Sequence, residues 1–164
     1  MNGIQLALHT LHDGEQHLAT QLVTVADRHR TDHEIHHVAT DIAAWSHEHV
    51  RRLAEALPRY GLSPGGASGG RRDGGPCAAL PRSTGDMAGH RSEPGLSLLC
   101  DLRDLHLAAA YNSLHWEMLA QVAQAAKAAD LLSLATSCHP RTLRQLRWTN
   151  TMVKTLSPQV LSSL

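Results

Sequence analysis

Two stretches near the start of the chain carry apolar residues in alternating steps of four and three, and each stripe holds one ionisable residue. Ile4, Leu8, Leu11, Glu15, Leu18, Leu22 and Val25 form the first; Ile35, Val38, Ile42, Trp45, His49 and Leu53 form the second. That spacing keeps returning to one face of an α-helix, so both stretches read as amphipathic helices with the stripe turned to a core. Strands alternate their side chains and cannot use such a pattern. Folding the two helices back on each other at Arg30-Thr31-Asp32 sets Glu15 level with His49. A carboxylate and an imidazole then meet inside, where an isolated charge is strongly disfavoured. The pair must therefore share a hydrogen bond or hold an ion.

The second half repeats the arrangement. Leu132, Ala135, His139, Leu143, Leu146, Asn150 and Val153 form a stripe, and a turn near Ala128 sets Glu117 level with His139. Around Glu117 the same helix face carries Leu99, Leu102, His106, Ala110, Ser113 and Ala120, mostly small or apolar, which leaves room beside the carboxylate. An ionised Glu117 facing His139 would raise that imidazole's pKa.

Between the halves the composition changes abruptly. Residues 58–95 hold ten of the 12 glycines and five of the seven prolines, in runs such as SPGGASGGRRDGGP. Such a segment cannot pack a core, but a bundle made of two hairpins needs one long crossover. The expected fold is all-α: one domain, 1–164, built as an antiparallel four-helix bundle with hairpins 3–57 and 96–157 joined by a Gly/Pro-rich crossover, 58–95. Asn2 and either Thr31 or Asp32 suit the N-caps of the first two helices, and Pro58 ends the second. The third is expected to start near Ser97. For the fourth, Asp130 is the available cap, Pro140 introduces a kink, and Pro158 ends the helix.

Composition supports helices and narrows function. Aromatic residues make up 3% of the chain, with no Phe, so the core must be built of Leu, Ala and Val, as in close helix packing. A formal net charge of +0 supplies no general field for nucleic acid, and no apolar run is long enough to cross a membrane. The first ten residues lack the charged and apolar regions of a secretory signal, so a cytoplasmic protein is expected. Three cysteines without a C-x-x-C spacing indicate neither a disulfide framework nor a zinc knuckle. Nine of the 13 histidines precede residue 50, and Arg far outnumbers Lys, a bias expected of a GC-rich bacterial genome.

With Glu15, His49, Glu117 and His139 on four successive helices, the chain resembles the ferritin-like di-iron carboxylate proteins. That superfamily places one Glu on each of the first and third helices and a Glu-x-x-His on each of the second and fourth. The resemblance implies that Glu15, His49, Glu117 and His139 are metal ligands, with Ser46, Thr136 and His106 close around them. Ser46 and Thr136 stand where the family carries its two bridging carboxylates. The ligand set that remains suits one divalent ion (Fe, Zn or Mn) or none, and no catalytic residue is indicated. The rival reading is a metal-free structural or protein-interaction bundle. On the fourth helix Arg141, Arg144, Trp148 and Thr151 recur on the side away from His139; this face, rich in hot-spot residue types, is the expected interface of a homodimer.

Overall fold

The computed structural model describes residues 2–64 and 93–164. These form four helices, α1 (Gly3–Arg28), α2 (His33–Ala56), α3 (Pro94–Ala125) and α4 (Ala129–Leu161), with a short 3-10 turn at Leu57–Tyr60 and no strand among the described residues. Most of the expected crossover lies outside them. The all-helical composition is as expected, and the packing is compatible with a helical bundle. No helix among the described residues is long and apolar enough to cross a membrane.

Local chemistry fixes most of the ends. Asn2 and Gln5 exchange hydrogen bonds across the first turn of α1, a capping box at 2.9 and 2.8 Å. Gln5 Nε2 also donates to Tyr60 O at 2.8 Å, tying this end to the 3-10 turn. Asp32 accepts from Ile35 N and caps α2. Pro58, lacking an N–H, falls in the 3-10 turn, which Gly61 closes at φ 73°. At the other side of the gap Pro94 occupies the first position of α3, where its missing N–H costs nothing. This start precedes the expected Ser97 by one turn.

The α3–α4 turn has no glycine because Lys127 takes the left-handed conformation itself, at φ 56°. Ala128 N bonds to Ala123 O at 2.8 Å and Lys127 N to Gln124 O at 3.2 Å, the paired bonds of a Schellman motif. Asp130 does not cap α4. It accepts from Tyr60 Oη at 2.9 Å, and the N-cap is Ala128. Nor do the prolines stop α4, which continues through Pro140 and past Pro158 to Leu161. Pro140 removes the bond its N–H would make to Thr136 O, and Thr136 Oγ1 turns back to Leu132 O at 2.8 Å.

The helices meet along their lengths. His36 Nδ1 lies 2.8 Å from Ala26 O between α2 and α1, and His106 Nδ1 lies 2.8 Å from Thr149 Oγ1 between α3 and α4. At one end of α1, Asp101 of α3 binds Arg28 at 2.7 and 2.8 Å and His29 at 2.7 Å. The apolar core is divided in two. One cluster gathers Leu18, Leu22, Ile35, Ile42, Leu102, Leu105 and Met152; the other gathers Leu8, Leu11, Leu53, Trp116, Leu119, Leu131 and Cys138. Between them lies a belt of buried polar side chains.

Candidate functional site: a buried polar layer

Each helix sends polar groups into this belt. Glu15 comes from α1, Ser46 and His49 from α2, Asn112 from α3, and Thr142 and Gln145 from α4, and all six are buried. Glu15 Oε1 is its hub, accepting from Trp116 Nε1 at 2.8 Å and more weakly from Thr142 Oγ1 at 3.5 Å. His49 Nδ1 approaches the same oxygen to 3.2 Å. No hydrogen bond is aligned along that approach. The imidazole stands edge-on to the Trp116 ring, with centroids 5.5 Å apart at 76°. On the other side Gln145 Nε2 donates to Ile42 O at 3.0 Å and to Ser46 Oγ at 2.9 Å, joining α4 to α2.

A glycine makes the layer fit. A Cβ on Gly14 would stand 2.2 Å from Asn112 Oδ1, so the buried Asn112 amide holds its place only because residue 14 has no side chain. Five buried polar atoms keep unused capacity: Glu15 Oε2, both His49 nitrogens, Asn112 Nδ2 and Gln145 Oε1. Such a cluster of donors and acceptors suits ordered water, which needs two to four polar partners. Beside the layer, Arg52 donates to Cys138 Sγ at 3.3 Å, and burial pushes that thiol's pKa up, which leaves it a packing residue rather than a nucleophile.

The first half of the expected site is therefore brought together, and the second half is not. Glu15 and His49 meet as their stripes require, with Ser46 buried one turn away. Glu117, by contrast, is exposed, as is Thr136. His139 is half-buried and its Nε2 lies 2.8 Å from Ser113 Oγ, on the same helix as Glu117 but not bonded to it. The reason is a rotation of both helices by one residue, about 100°. The buried line of α4 is Leu131, Leu134, Ala135, Cys138, Thr142, Gln145, Thr149 and Met152, and that of α3 runs through Leu105, Ala109, Asn112, Trp116 and Leu119. His106 follows its helix outward to a partly buried bond with Thr149.

The same rotation turns the expected interface. Trp148 is half-buried, packs against the first core cluster, and has its indole nitrogen buried. Arg141 is partly buried, and Arg144 and Thr151 are exposed. Asn112, Trp116, Thr142 and Gln145 escaped the sequence reading. One signal was present: Thr142-x-x-Gln145 has the same three-residue step as Ser46-x-x-His49.

Burial holds the His139 pKa below its ordinary 6.5, and the Glu117 carboxylate offsets this in part. This reverses the expected direction, because desolvation outweighs a carboxylate that water screens. A folded state that binds the proton less readily than the unfolded chain is favoured as pH rises. This contribution is complete above 6.5 and is lost as pH falls through the lowered folded value. Melting temperature should accordingly fall on acidification from about pH 7 to 5, and His139→Asn should remove part of that fall. A variant profile superimposable on wild type would exclude His139 as a source.

No protein-family model matches the chain, and neither a curated protein nor a solved structure matches it.

Proposed function

We propose that this chain is a ferritin-like, antiparallel four-helix bundle whose metal centre has been replaced by a hydrogen-bonding layer, and that it serves in the cytoplasm as a metal-free protein-interaction module. In this reading hairpins 3–57 and 96–157 are joined by the crossover 58–95. The make-up of the buried layer carries the proposal. Where the resembled family has a carboxylate on the first and third helices, the layer has Glu15 and Asn112. Where the family has Glu-x-x-His on the second and fourth, it has Ser46-x-x-His49 and Thr142-x-x-Gln145.

Of these six side chains only Glu15 and His49 are strong metal ligands. Neutral hydroxyls and amides cannot balance the charge of two buried divalent ions, and they are poor ligands for Fe or Zn. The residues present therefore do not fit a di-iron centre. Among the described residues no three His, Cys, Asp or Glu side chains are gathered as a metal site. The set Glu15, His49, Glu117 and His139 is split between the core and the surface, which leaves the single-ion reading with one buried pair.

Metal analysis tests this. The full chain, purified without a histidine tag from cells grown with added iron, zinc and manganese, should carry metal well below stoichiometry, and its melting temperature should not respond to chelators. Near-stoichiometric metal that disappears in both Glu15→Gln and His49→Gln would overturn the proposal.

A further inference from the structure

We infer that the outer face of α3 is a self-association surface, on which two copies of the chain pair with their α3 helices antiparallel about a twofold axis. Four large apolar residues stand out on this face: Leu107 at 60% exposure, Tyr111 at 41%, Leu114 at 56% and Met118 at 51%. They follow steps of four, three and four, so they form one continuous stripe on a single side of the helix. The Tyr111 ring leans on His115 of the same helix at 4.2 Å. α3 is thus apolar on its outer side as well as its inner one, the pattern of a helix covered all round.

Three observations select a second copy as the cover. The four-three-four spacing reads the same in both directions, as a twofold contact requires. An antiparallel partner brings Leu107 level with Met118 of the second copy and Tyr111 level with its Leu114, with the axis between Tyr111 and Leu114. Charge permits the pairing too. In this register Asp104 faces Gln121 of the second copy and Glu117 faces its Ala108, so no charge meets its like. Area is the third. With roughly 200 Å² for a large side chain, the four exposures leave about 400 Å² per copy, and a pair with its flanking residues reaches the ~1,000 Å² or more of a specific interface. A contiguous apolar patch of this size is often a functional one.

The inference rests on the interaction role proposed above, but it is read from mass, not metal, so the two can fail separately. Sedimentation of the untagged full chain at micromolar concentration should show a dimer. Leu114→Asp, next to the axis, should weaken it by at least about 30-fold, with an unchanged helical circular dichroism spectrum because the residue is exposed. Leu107→Lys and Met118→Glu should each weaken the dimer, and the chain bearing both should regain affinity, since the two positions face each other across the axis. A monomeric wild type would overturn the inference, whatever other protein the stripe then binds. So would a dimer that survives Leu114→Asp, or one for which the double variant is no tighter than the singles.

Discussion

Alanine in place of Trp116 is expected to lower folding stability by about 3–5 kcal/mol, a large part of what a domain of this size holds. Trp116 is fully buried in the second core cluster, with its ring against His49 and its N–H on Glu15. Truncation therefore empties a core volume and removes the donor of the shortest bond to Glu15. Trp116→Phe separates these effects. Phenylalanine keeps most of the apolar surface but not the N–H, and leaving a buried carboxylate oxygen short of a donor should cost about 1–3 kcal/mol. Urea unfolding of the three proteins measures both. If the phenylalanine variant is as stable as wild type, the indole bond to Glu15 contributes nothing.

The second large effect concerns the buried pair itself. Glu15→Met alone removes the acceptor shared by Trp116 and Thr142 and the carboxylate beside His49, with an expected loss of about 3–5 kcal/mol. His49→Leu leaves Glu15 with fewer partners and should also destabilise. Combining Glu15→Met with His49→Leu fills the same space with apolar groups, so the double variant should lose less than the two single changes together, by about 1–3 kcal/mol. A double-mutant cycle by urea denaturation decides it. Additivity within about 0.5 kcal/mol would mean that the two side chains are neighbours without interacting.

α1 and α2 were legible in the sequence because they are amphipathic in the ordinary way. One apolar stripe faces a polar remainder, so the rotation of each helix is fixed and the intruders Glu15 and His49 stand out. α3 and α4 defeat the same reading for two physical reasons. α3 is apolar outside as well as in, through Leu107, Leu114 and Met118, so periodicity cannot say which side is buried. α4 buries Thr142, Gln145 and Thr149, so its core line is less apolar than the adjacent line through Leu132, Leu143 and Leu146. Sequence reasoning follows the more apolar line and rotates the helix by one residue. That single step carried Glu117 and His139 inward on paper and Trp148 outward. The α3–α4 turn, too, gave little signal, since lysine adopts a conformation usually left to glycine.

The polar belt between the two apolar clusters also decides how the helices line up lengthwise. Leucine stripes repeat, and a helix displaced by one turn, about 5.4 Å, can find new apolar neighbours with little loss. Here such a slip would carry Glu15 in among leucines, strand Gln145 away from Ile42 O and Ser46, and push an apolar side chain into the belt. A misaligned packing thus breaks the bonds of Glu15 to Trp116 and of Gln145 to Ile42 and Ser46, which only one alignment makes. Side chains that add little to net stability in this way exclude the competing states, and a chain of so few aromatic residues settles on one arrangement rather than a family of shifted ones.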